Sequence, residues 1–135
     1  MELFAIDPGN KESAYVLVEI DGFFDDMEWL HYDPKSIKIL QRDKQKCSAV
    51  AVTLETWLSE NQDANKELMV VVERVQAMGM PVGYEIFETC EWIGRYSQIA
   101  ERYFVRPQYV YRLEEKVTLC HDSKAKDANI RQALI

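Results

Sequence analysis

Two acidic residues close apolar runs in this sequence: Asp7, in "FAIDPGNKESAYVLVE", and Glu73, in "LMVVVERV". A carboxylate at the end of a buried strand either serves the turn that follows or faces a ligand. If the two strands are parallel neighbours, both acids reach the same sheet edge, with the backbones about 4.8 Å apart. Paired there, they suit a hard cation, because Mg²⁺ takes oxygen ligands at roughly 2.0–2.1 Å and keeps several waters. A second cation about 3.5–4 Å away would complete a two-metal arrangement for phosphodiester cleavage. Each acid also has an ordinary role. Asp-Pro-Gly is common turn chemistry, and Glu73 beside Arg74 suits a strand-end ion pair.

The elements that must position these acids are legible in outline. "LFAI" and "AYVLVEI" predict two strands joined by the turn "DPGNKES", and "FFDDMEWLHY" (23–32) a third strand of the same antiparallel meander. Val50, Leu54, Trp57 and Leu58 follow helical spacing within 48–61. "LMVVVERV" (68–75) is nearly unbroken in its apolar character, as a central strand covered on both faces would be. Beyond the loop "QAMGMPVG", residues 82–104 place Val82, Ile86, Cys90, Ile93, Ala100 and Phe104 on one helical face. "PQYVYRL" (107–113) predicts another strand, and "SKAKDANIRQALI" a helix with Asp127 available as N-cap. The order is therefore β-β-β-α-β-α-β-α. The fold class is α/β, one mixed sheet in which a three-stranded antiparallel meander joins parallel strands, with helices on both faces.

Composition bounds the function. The chain has 135 residues, 47% of them hydrophobic, enough for one domain that buries roughly two-thirds of its unfolded surface. No apolar run reaches the ~18 residues of a membrane span, and "MELFAID" lacks the basic start of a signal peptide, so a soluble cytoplasmic protein is expected. Cys47, Cys90 and Cys120 are odd in number and form no CxxC pair, which supports neither a disulfide framework nor a zinc knuckle. The net charge of −7 argues against a polyanion partner, but its distribution argues the other way. Residues 1–73 hold 15 acids and 7 bases, whereas residues 102–135 hold 7 bases and 4 acids. That basic end suits a polyanion, or is ordinary surface variation.

"AIDPGNKESAYVLVE" followed by "VVVERVQAMGMPVGYEIFETCEWIGR" resembles the RuvC family of Holliday-junction resolvases, in particular its phage-encoded RuvC-like branch. The likeness spans nearly the whole chain, 1–135, read as a single domain. It implies a ribonuclease H-like fold, a homodimer, and Mg²⁺- or Mn²⁺-dependent cleavage of branched or four-way DNA, with a metal-activated water as nucleophile. Asp7 and Glu73 match the first two catalytic carboxylates. Lys116 and one of Lys124 or Lys126 fall where the family contacts phosphate, and Arg131 lies on the same late helix. Gln76 stands where family members often carry an aromatic near the junction crossover, with Met78 and Met80 the nearest apolar residues. The family completes its site with acids at the start of a final helix, beyond the segment that "KDANIRQALI" resembles. Asp127 is the remaining acid in reach of that role, with capping or surface duty as the other reading.

Two other readings stay open. One is a catalytically weak or inactive DNA-binding or assembly module with the same fold. The other takes "DPGNKES" as the phosphate loop of an actin-like or sugar-kinase ATPase, a class that needs two such lobes.

Overall fold

The computed structural model describes residues 1–21, 36–62, 66–76, 79 and 81–133. Five strands form one sheet in the order β3-β2-β1-β4-β5. They are β1 (Glu2–Asp7), β2 (Glu12–Ile20), β3 (Ile37–Lys46), β4 (Leu68–Arg74) and β5 (Gln108–Tyr111). β1 pairs antiparallel with β2 and parallel with β4, so the central strand joins the meander to the parallel half. β2 pairs antiparallel with β3, and β4 parallel with β5. A mixed sheet of this order with packed helices is the α/β, ribonuclease H-like class expected.

Alternation along the strands determines which face is covered. Phe4 and Ile6 of β1, Tyr15 and Leu17 of β2, and Val70 and Val72 of β4 are all buried on one face. Helices α1 (Cys47–Glu60) and α2 (Tyr84–Arg102) lie across it, bringing Val50, Leu54 and Leu58 from α1 and Ile93, Tyr96 and Ala100 from α2 into the same core. Phe4 stacks on Tyr15 at 5.0 Å between ring centroids and meets Trp57 at 5.4 Å. The Trp57 indole N–H would be orphaned there, but it donates to Glu2 Oε2 at 2.8 Å, and Lys66 Nζ donates to Glu2 Oε1 at 3.0 Å.

Both long helices therefore share one face, which departs from the expected covering of both. On the other face Ala5, Ala14, Val16, Val71 and Val110 border an open cleft of about 670 Å³. Of the described helices, only α3 (Arg112–Cys120) reaches that cleft, through Glu115.

Two elements differ from the sequence expectation. The strand expected over 23–32 lies outside the described residues, and the strand that pairs with β2 is β3. Its residues are nearly all exposed, so no alternation marks it. A bulge at Leu40 interrupts its pairing, between Leu17↔Gln41 and Val18↔Ile39. The segment after β5 is α3, whose end is capped by His121 in the left-handed conformation, its N–H donating to the Val117 carbonyl. Asp127 is not an N-cap. It is the first residue of α4 (Asp127–Ala133), and Asn129 Oδ1 accepts the Lys126 N–H instead. Among the described residues no helix is long and apolar enough to cross a membrane.

Candidate active site

Parallel pairing of β1 with β4 brings the two acids together. The register runs Ile6↔Val72, so the next residues, Asp7 and Glu73, leave the core face and turn to the open one. Their carboxyl groups stand close enough for Asp7 to raise the proton affinity of Glu73. Two carboxylates so close cannot both ionise freely. Burial, with the charges of Asp7 and Glu115, lifts the Glu73 carboxyl to about 7, and Arg112 offsets part of that rise.

The turn after Asp7 is held from beneath. Gly9 N–H donates to Ser13 Oγ at 3.3 Å, and the Cys47 thiol donates to the Gly9 carbonyl at 3.4 Å. Ser13 Oγ lies 3.3 Å from Cys47 Sγ, and the Tyr96 hydroxyl donates to Ser13 Oγ at 2.8 Å and reaches the Cys47 carbonyl at 3.2 Å. Ser13, Cys47 and Tyr96 are at most 2% exposed, so this is a buried, fully partnered network. It also explains the glycine, because a Cβ at position 9 would stand 2.2 Å from the Glu12 carbonyl oxygen.

On the far side of Glu73, Arg112 opens α3. One guanidinium nitrogen lies 3.9 Å from Glu73 Oε1, and another is bonded to the Asp127 carboxylate. Asp127 is thus separated from Glu73 by an arginine. Glu115, one turn along α3, lines the open cleft with Asp7 and Glu73. Burial raises its carboxyl pKa and so does Asp7, while Arg112 opposes the rise. The sequence reading missed Glu115 because it read no helix there; the signal that would have found it is "RLEEKV" directly after a strand ending at the same edge.

The other expected residues divide. Lys116 and Gln76 line a cleft of about 310 Å³ together with Pro8, Glu73 and Arg112. Lys124, Lys126 and Arg131 are exposed on the following turn and α4, outside that lining. The Lys124 N–H donates to Asp122 Oδ1, which shapes the turn and leaves the ammonium group in solvent.

The donor set suits a hard divalent cation. Both Asp7 and Glu73 offer oxygen alone, and the proton that burial and the Asp7 charge keep on Glu73 is one such an ion would replace. Among the described residues no three His, Cys, Asp or Glu side chains are drawn together as ready ligands; Asp7 and Glu73 are the adjacent pair, and Glu115 lines the same cleft.

No protein-family model matches the chain, and no curated protein does. Solved structures do. The Thermus thermophilus RuvC structure aligns over 99% of this chain and 78% of its own, with a TM-score of 0.63 at 15% identity. T. thermophilus RuvC in complex with Holliday junction substrate aligns over 98% of this chain and 76% of its own, with a TM-score of 0.68, also at 15% identity. The chain has a RuvC-like fold, and its two strand-end carboxylates lie side by side at one edge of that sheet.

Proposed function

We propose that this protein is a divalent-metal-dependent endonuclease that cleaves phosphodiesters in branched DNA. The observation that carries the reading is the pairing of Asp7 with Glu73 on adjacent parallel strands, within a fold shared with a RuvC whose structure holds a Holliday junction. Asp7 and Glu73 would hold Mg²⁺ or Mn²⁺, which when bound supplies water activation and charge stabilisation for phosphodiester hydrolysis. Glu73, whose carboxyl is raised to about 7 without the ion and so is part-protonated near neutrality, would release that proton on loading. Arg112 and Lys116, at the rim of the smaller cleft, bear on the scissile strand's phosphates, and Gln76 borders the same space. Lys124, Lys126 and Arg131 extend the basic surface outward. Asp127 acts through Arg112, whose guanidinium it anchors beside Glu73. A homodimer would place two such sites on one junction, and the exposed Val82, Tyr84 and Phe87 at the start of α2 offer apolar surface for the pairing.

The deciding experiment is nicking of a labelled four-way junction and a linear duplex of matched sequence in Mg²⁺ and Mn²⁺. Metal-dependent nicking, stronger on the junction and lost in Asp7→Asn, is expected. Equal nicking by the variant overturns the site. The second reading, a DNA-binding module with weak or no activity, is favoured by the engagement of Asp127 with Arg112, which holds that carboxylate away from the Asp7–Glu73 pair. Salt-dependent junction binding with no cleavage in Mn²⁺ would select it.

A further inference from the structure

The Pro8–Gly9 turn borders two clefts. Pro8 lines the one that holds Glu73, Arg112 and Lys116. Gly9 lines another, of about 850 Å³, walled by Lys11, Glu12, Lys44, Lys46 and Trp92. We propose that this second cleft seats the phosphodiester backbone of the DNA strand as it continues past the Asp7–Glu73 site, an extension that rests on the nuclease reading.

Its charge is unusual for its surroundings. Residues 1–73 hold 15 acids against 7 bases, yet this cleft gathers three lysines against Glu12 alone. Glu12 is engaged by Lys44, with 3.8 Å between Oε2 and Nζ. Lys11 and Lys46 make no ion pair among the described residues, and both are exposed. Two ammonium groups thus face the cleft uncompensated, as neutralising phosphates requires.

The fold makes this cluster, and linear charge counting does not. Lys44 and Lys46 project from the edge strand β3, and the β2–β3 register sets Lys46 opposite Glu12, next to Lys11 on the turn. Trp92 of α2 adds an aromatic wall, and the Arg95 guanidinium lies 4.4 Å from its ring centroid, a fourth cation at the margin. Cations interleaved with an aromatic ring are the arrangement by which grooves track nucleic-acid strands. Because one turn borders both clefts, a strand with a phosphate at Asp7 and Glu73 has this basic groove directly ahead of it.

The test uses the full chain carrying Asp7→Asn, so that DNA binds without being cut. Affinity for a fluorescein-labelled four-way junction is followed by anisotropy between 50 and 200 mM KCl. Adding Lys11→Gln and Lys46→Gln is expected to weaken binding about tenfold and to lower the log–log salt slope by about 2, close to 0.9 per lost phosphate contact. Lys38→Gln, the same charge change some 26 Å away along β3, is expected to leave the slope unaltered. An unchanged slope in the double variant, an equal per-charge loss in Lys38→Gln, or no binding by the parent overturns the cleft. Asp7-dependent nicking by the wild-type chain is scored separately. If nicking survives and the slope does not move, only the cleft fails. If nicking ignores Asp7 but the slope falls, the nuclease reading fails and the groove stands.

Discussion

Asp7 and Glu73 close adjacent parallel strands, and burial with the Asp7 charge raises the Glu73 carboxyl, so the folded chain holds a proton that the unfolded chain releases. Below pH 4.5 Glu73 is protonated in both states and has no effect on stability. Between there and about 7 only the folded state keeps the proton, so stability falls as pH rises, and the full penalty remains above that range. Glu73→Gln is therefore expected to be more stable than wild type by on the order of 2 kcal/mol at pH 8 and equal to it at pH 4. Urea melts at the two pH values measure this, and equal differences at both would sink it.

The same penalty predicts how metal acts on the free protein. Mn²⁺ is expected to raise Tm by several degrees at pH 8 and by much less at pH 5, where protons compete for the pair. EDTA should reverse the shift, and Asp7→Asn should abolish it. Differential scanning fluorimetry of metal-loaded and stripped protein reads all three.

Arg112 sets the field around this pair. Its positive charge offsets part of the rise in the Glu73 carboxyl, so Arg112→Gln is expected to move that group's titration above about 7 and to release the Asp127 carboxylate. Side-chain carboxyl shifts followed by NMR against pH would report both. A Glu73 titration that stays in place would remove Arg112 from the site's electrostatics.

Gly9→Ala tests the turn. Its Cβ would stand 2.2 Å from the Glu12 carbonyl, so the backbone must move, at about 1–3 kcal/mol of stability. Because Asp7 is two residues away, nicking activity is expected to fall further than the fraction folded. Activity that tracks folding alone would mean the turn has no role in aiming Asp7.

How much of this was legible varies with what each residue contacts. Asp7 and Glu73 could be read because each interrupts an apolar run whose burial dictates a strand, and strand ends place acids at edges. β3 escaped because it is an edge strand with solvent on nearly all its residues, and Lys38, Arg42, Lys44 and Lys46 read as a charged stretch. α3 escaped because it is short and follows β5 without a break, so its first residues, Arg112 and Leu113, read as the end of the strand "PQYVYRL". With it went Glu115 and the Arg112 bridge. The basic end of the chain drew attention to Lys124 and Lys126, whereas pairing of β2 with β3 gathered Lys11, Lys44 and Lys46 from a segment whose net charge is negative.

The hydrogen bonds beneath Gly9 tie the turn to the first residue of α1 and the middle of α2. Tyr96→Phe would cost about 1 kcal/mol by that count. The larger consequence concerns partial opening. A fluctuation that lifts α2 from the sheet also releases Ser13 and Cys47, and with them the backbone that carries Asp7. Amide exchange at Gly9 should therefore proceed at the rate of global unfolding, so that the chain either presents its acids in register or has no folded core.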